Sequence, residues 1–423
     1  MNHFELLGGE LACEAVPLSR IAEAVGTPVY VYSSATLERH FTVFRDALTA
    51  HPEIGEPLIA YALKANPNVA VVRTLARLGA GADTVSEGEI RRALAAGVPA
   101  ARIVFSGVGK TAGEIAFSLE AGVAEINVES EPELDLVAQI AAERGVRAAV
   151  GIRVNPDVGA GGHSKISTGH AESKFGVSLG EAERLYAKAS NSASLQPLGV
   201  ACHIGSQITD LAPLRDAFGR MRALVERLRG QGLSVERLDL GGGLGVPYFN
   251  QPDPPTPADY AAVVAEAVRG LGVQLAFEPG RVIAANAGVL LARVLHVHMR
   301  PEGRRFLVLD AAMNDLIRPA MYEAYHDIRP VRPRPGAPAP YDVVGPICET
   351  GDTFTRERML PPLEAGDLVA FMTAGAYGAA MSSEYNSRPL VPEVLVKGAD
   401  FAVIRARPSY EAMLASERTP DWL

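Results

Sequence analysis

The chain has only three cysteines, Cys13, Cys202 and Cys348, far apart and with no CxxC pair. That excludes a disulfide framework or a Cys-rich zinc site, and it fits a reducing, cytoplasmic setting. No apolar run approaches the ~18–20 residues of a membrane span, so no membrane partner is expected. The opening stretch MNHFELLGGELACEAVPLS lacks a basic segment followed by an apolar one, so export is not expected. A net charge of −9 comes without any run of basic residues, which argues against nucleic acid as a partner. Lysine is also scarce, at 6 of the 40 basic side chains, so a lysine inside an apolar stretch stands out from surface decoration.

What is present is a globular composition, 48% hydrophobic and 21% charged over 423 residues, enough for two or three domains or one barrel with an appendage. From Pro57 to Arg281, short apolar runs alternate with amphipathic segments. The eight runs are PLIAYALK (57–64), GADTVS (81–86), RIVFSG (102–107), EINVES (125–130), RAAVGIRVN (147–155), LGVACHIGS (198–206), VERLDLGGG (235–243) and VQLAFEPG (273–280). Seven helical segments separate them, and eight parallel strands predict a closed (β/α)8 TIM-like barrel. After Arg281 the pattern changes to runs such as RVLHVHM, RFLVLDA, DLVAFMTAG and PEVLVKG between Pro- and Gly-rich turns, which reads as a C-terminal β-domain. The expected division is an N-terminal segment, 1–33, whose TPVYVYS strand joins the β-domain, a barrel over 34–284 and the β-domain over 285–423. The five-proline stretch PVRPRPGAPAP (330–340) reads as a surface loop within it.

In such barrels chemistry sits at the C-terminal ends of the strands. The first run ends in Lys64, an amine at the barrel mouth. Taken alone it fits a solvated strand-end lysine, or a desolvated one that forms a Schiff base with an aldehyde cofactor. The seventh run ends in Gly241, Gly242, Gly243 and Gly245, where bare backbone can approach a phosphate, without the spacing of a dinucleotide site or a P-loop. The eighth ends in Glu278, Gly280 and Arg281, a carboxylate and a guanidinium that fit either an ion pair or two separate contacts at the mouth. Pyridoxal phosphate reconciles these features: Lys64 takes the aldehyde, the glycine turn and Arg281 the phosphate, and Glu278 keeps the pyridine nitrogen protonated, so that the ring is an electron sink suited to decarboxylation. On the sixth run His203 could stack on the ring and Ser206 could bond the phosphate, although a core histidine is the plainer reading. Cys202, next to it, is expected to point away into the core. Asp83 could orient Lys64 or the ring, or could equally cap the helix beginning near Glu87.

With those residues in place, the chain resembles the fold-type III pyridoxal-phosphate decarboxylases, whose fold is alanine racemase-like. The resemblance rests on YALKAN (61–66), DTVSEGE (83–89), HSKISTG and KFGV (163–169 and 174–177), HIGSQ (203–207), GGGLGVPY (241–248), EPGR (278–281), LIRPAMY (316–322), GPICETGD (345–352) and GAYGAAMSSEYNSRP (375–389). It implies Lys64 as the Schiff-base lysine and His203 as the ring-stacking residue. It further implies substrate binding by Arg281, Arg318, Tyr322, Glu349 and Tyr377, with Tyr377 also touching the cofactor, and Cys348 as proton donor. The implied partners are a small amino-acid substrate, with meso-2,6-diaminopimelate yielding L-lysine and carbon dioxide, and a second copy of the chain, in a homodimer with shared active sites. The implied alternatives are a relative acting on ornithine, lysine, arginine or carboxynorspermidine, and a non-catalytic regulator. The 163–174 loop is expected to be an active-site lid.

Overall fold

A computed structural model describes residues 2–159, 168–169, 173–249 and 252–423. The chain divides into two units. One comprises Glu38–Pro247 with Gln251–Ile283, and the other Met1–Leu37, Tyr248–Asn250 and Ala284–Leu423.

The first unit is a closed barrel of eight parallel strands, Leu58–Ala62, Gly81–Thr84, Ile103–Phe105, Glu125–Val128, Ala148–Val154, Leu195–Cys202, Arg237–Asp239 and Gln274–Phe277. Each lies within, or overlaps, one of the eight apolar runs. The ring closes where Ala276 and Phe277 of the last strand pair with Leu58 and Ile59 of the first. Strands buried on both faces read as continuous apolar runs rather than as alternation, which is why Leu58–Ala62 is buried at every position. Loops re-enter helices through side-chain caps. Ser86, Ser130 and Ser178 accept from the amide three residues on, and Thr111 and Thr256 form capping boxes with Glu114 and Asp259.

Seven helices follow the first seven strands, and the long helix Ser34–Thr49 precedes the first. Its Phe44 packs on Tyr260 and Phe277, so this helix covers the last strand from the N-terminal side. The strand-then-helix pattern does not point to it. The barrel interior is partly polar: Glu125 pairs with Arg237 at 2.7 Å. Gly151 makes room for it, since a Cβ there would lie 2.0 Å from the Glu125 carboxylate.

The second unit is built on a nine-stranded mixed sheet around the long strand Gly288–Met299. Its first half pairs with Val29–Ser33 and Leu368–Phe371, and its second half, beyond an irregularity at 294–296, with Arg305–Leu309. The TPVYVYS segment is therefore a central strand, parallel to Glu393–Lys397. Alternation along it is plain: Val29 and Val31 enter an apolar cluster with Val289, Leu291, Ala370 and Val394, while the hydroxyl of Tyr30 donates to the Asp315 carbonyl and that of Tyr32 to Glu393. Two features lie outside the sequence reading. Residues 4–17 form a small three-stranded sheet followed by the helix Leu18–Val25, and the proline-rich stretch is a loop only in its middle, its ends belonging to strands Ile328–Pro330 and Ala339–Val344.

Candidate active site

The strand Leu58–Ala62 runs straight into a single 3-10 turn, Leu63–Ala65, which carries Lys64. Parallel pairing sets Ala62 beside Asp83, and the Lys64 Nζ donates to Asp83 Oδ2 at 2.8 Å. The carboxylate side chain is fully covered, while that of Lys64 stays about one-third exposed (35%). Of the two readings of Asp83 the structure selects the first, because the helix Glu87–Ala95 is capped by Ser86. The other Asp83 oxygen is buried and finds no hydrogen-bond partner among the described residues.

Glu278, at the end of the last strand, is buried and forms no ion pair among the described residues. Burial, with Asp239 and Asp83 nearby, pushes its acid well above the ordinary carboxylate range. Asp239, on the neighbouring strand, is pushed up to about 7 by burial and by Glu125 and Asp83, against the Gly241 amide that donates to it at 2.7 Å. His203 is held neutral by burial and by the charges of Lys64 and Arg153. Its Nδ1 accepts from the Gly242 amide at 3.2 Å, so in the neutral ring the hydrogen sits on Nε2.

The glycine turn has a more specific role than the bare-backbone reading gives it. The amides of Gly241 and Gly242 are engaged within the protein, on Asp239 and His203. Gly243 adopts φ +110, and a Cβ there would lie 2.4 Å from the Gly205 carbonyl, so the turn needs glycine to nest against the loop after the sixth strand. In that loop Ser206 Oγ accepts from Arg281 Nε and from its terminal nitrogen at 3.2 and 3.0 Å. A cavity of about 170 Å³ opens at this end of the barrel, with Lys64, Asn127, Arg153, Phe175, His203 and Glu278 in its wall. Cys202, expected to point away, is buried but borders the same cavity.

In the second unit the short helix Arg318–Tyr322 carries both Arg318 and Tyr322. Arg318 is buried rather than a surface ion-pair residue; it lies over the Tyr248 ring and donates to His326 at 2.8 Å. Cys348 is an exposed free thiol. Glu349 beside it accepts from the Tyr385 hydroxyl at 3.0 Å. Tyr377 holds φ +56, a conformation uncommon for a bulky side chain. Residues 163–167 and 170–172 of the expected lid lie outside the described residues.

The structure adds residues that the sequence reading left out. Asp239 lies two residues before Gly241, at the end of its strand, and Arg153 interrupts the apolar run RAAVGIRVN; a charge on a strand buried on both faces is the available signal. Arg153 pairs with buried Glu129 at 2.8 Å, which also accepts from the amides of Gly107 and Gly176 and so ties three mouth loops together.

The family described as pyridoxal-dependent decarboxylase, pyridoxal binding domain, matches residues 34–285. The diaminopimelate decarboxylase of Pseudomonas aeruginosa is 50% identical over 417 residues, 99% of each chain. The chain belongs to the diaminopimelate decarboxylase family. Among solved structures, the enzyme of M. jannaschii in complex with L-lysine superposes with a TM-score of 0.94 at 36% identity, covering 100% of both chains. That of Helicobacter pylori with L-lysine gives 0.90 at 41%, covering 94% of this chain and 98% of the other. The activity is that of the family, decarboxylation of diaminopimelate in the last step of lysine synthesis, and both the relative with another substrate and the regulator give way to it.

Pyridoxal phosphate is the family's cofactor, and the barrel mouth fits it on its own geometry. Glu278 is a buried acid in want of a cation, which a protonated ring nitrogen supplies. Lys64 stands at the cavity wall with its amine fixed by Asp83, and Arg281 with Ser206 forms a donor cluster suited to a phosphate.

Proposed function

We propose that this chain removes carbon dioxide from the D-centre of meso-2,6-diaminopimelate, with the barrel mouth as the reacting end of the site. The observation that carries the reading is the convergence, at one end of one barrel, of the Lys64–Asp83 pair, buried Glu278, and Arg281 with Ser206, with Lys64 and Glu278 in the wall of a cavity. Lys64 holds the cofactor aldehyde, Glu278 the ring nitrogen, and Arg281, Ser206 and Gly243 the phosphate, while the amides of Gly241 and Gly242 hold Asp239 and His203 in place. Gly280 packs closely against Ala62 and Ala65, which a Cβ would approach to 3.2 and 3.0 Å, so the chain beside Lys64 and Arg281 needs a residue without bulk. Bound there, the group supplies an aldehyde for the substrate amine and a conjugated ring that takes up the electron pair released as carbon dioxide leaves.

The protein's part is orientation and proton transfer. Asp83 keeps the Lys64 amine in place. A proton shared between Glu278 and the ring nitrogen is held in a buried setting that disfavours a bare carboxylate. Neutral His203 offers a flat, uncharged face and cannot compete with the ring for electrons. The thiol of Cys348 delivers the proton that replaces the lost carboxylate, and solvent restores it. Arg281, Arg318, Tyr322 and Tyr377 meet the carboxylates of the substrate, and Glu349 its distal ammonium. The active unit is a homodimer with shared active sites, in which the 348–352 segment serves the partner subunit's barrel. Three free cysteines fit the reducing cytoplasm.

Carbon dioxide release from meso-diaminopimelate, L-lysine, L-ornithine and L-arginine tests this. Selective release from diaminopimelate with lysine as product is the expected result; faster release from any of the other three overturns the substrate assignment.

A further inference from the structure

The helix Arg318–Tyr322 is one turn long, ends at Glu323 with φ +52, and has little intrinsic means of fixing a long side chain. Arg318 is nonetheless buried, and its guanidinium donates to His326 Nε2 at 2.8 Å. The tautomer of that histidine follows from its other contact. His326 Nδ1 lies 2.9 Å from the Met372 carbonyl, which only accepts, so Nδ1 carries the hydrogen and Nε2 of the neutral ring presents its lone pair to Arg318.

The backbone on either side of the imidazole is held as well, and a ring packs on it. The Met372 amide donates to the Asp327 carbonyl at 2.8 Å, Arg358 donates to the His326 carbonyl at 3.2 Å, and the Tyr248 ring meets it edge-on at 5.8 Å. Tyr248 also lies under the guanidinium, 4.9 Å from it. A neutral acceptor here differs from a carboxylate in one respect: it orients the guanidinium without cancelling its charge.

We propose that His326 is a positioning residue for substrate selection, holding Arg318 in the orientation that receives the distal carboxylate of the substrate. The proposal rests on the reading above that Arg318 meets that carboxylate. L-Lysine carries the same carboxylate and amine, so it is a probe that binds without turnover.

The test uses holoenzyme and three substitutions of His326. Leu removes both ring contacts. Asn keeps a donor for the Met372 carbonyl but is too short to reach Arg318, so it preserves the folding contact. Gln keeps an acceptor near Nε2. Calorimetric titration with L-lysine and steady-state kinetics with meso-diaminopimelate are measured on each. The expected result is an L-lysine Kd and a KM raised about tenfold in H326L and H326N, kcat and cofactor absorbance unchanged, and recovery in H326Q. Unchanged L-lysine affinity in H326N, or a fall in kcat with KM preserved, overturns the proposal. If H326L does not fold, H326N decides. R318M separates the two layers: unchanged L-lysine affinity in R318M overturns the reading of Arg318 itself, whereas a loss in R318M with none in H326N overturns only the role of His326.

Discussion

The two units carry functional residues in different ways. In the barrel, Lys64, Asp83, His203, Asp239 and Glu278 all lie at or just past the C-terminal ends of parallel strands, where the backbone is buried and register is set by the neighbouring strand. In the mixed-sheet unit, Arg318, Cys348 and Tyr377 sit on a one-turn helix and on turns between strands, and side-chain contacts hold Arg318. The first arrangement suits a cofactor whose ring and phosphate need fixed partners several ångströms apart. The second suits recognition of a substrate, since turns can change without disturbing a barrel.

That contrast predicts different losses on each side. K64A strikes the barrel's covalent function and should lower turnover by about 10³-fold or more; borohydride treatment followed by mass spectrometry should no longer find cofactor fixed to the chain. C348A strikes the other unit and should lower kcat by about 10²-fold while cofactor absorbance is retained. Loss of cofactor in C348A would break the comparison.

G243A should destabilise the barrel by about 2–4 kcal/mol, since the new Cβ meets the Gly205 carbonyl in a conformation that side chains avoid. Thermal unfolding of apoprotein and holoenzyme reads this directly. The last effect concerns Asp239 and appears only as a dependence on pH. Its folded acid value of about 7 lies above the ordinary 3.8, so between those values the folded protein keeps a proton that the unfolded chain releases. Stability from this group is full below the lower value and declines as pH rises to about 7, by at most about 1.4 kcal/mol per pH unit. D239N should flatten the pH dependence of the apoprotein Tm over that window; an identical slope in both proteins would remove Asp239 from the account.

Much of the barrel was legible because strands buried on both faces are compact apolar runs with helices between them, and because strand ends are where a lysine or glutamate is conspicuous. The helix Ser34–Thr49 was not, since it covers the last strand from before the first. Asp239 and Arg153 were hidden for a related reason: a charge within a strand reads as a flaw in the pattern until its buried partners are seen. Gly241 and Gly242 read in the sequence as bare backbone for a phosphate, whereas the geometry shows their amides serving Asp239 and His203. In the second unit the resemblance of the motif LIRPAMY singles out Arg318, but its burial and its neutral partner His326 come only from the structure. Cys348 and Tyr377 were picked out by the resemblance of whole motifs rather than by periodicity.

The central claim is that the two kinds of region act together across a homodimer, Lys64 from one subunit and Cys348 from the other. Co-expression of K64A and C348A chains tests it most directly, because random pairing makes half the dimers mixed, each with one site that has both residues intact. The account predicts that the purified mixture regains roughly a quarter of wild-type turnover; activity no higher than that of the two parents would contradict it.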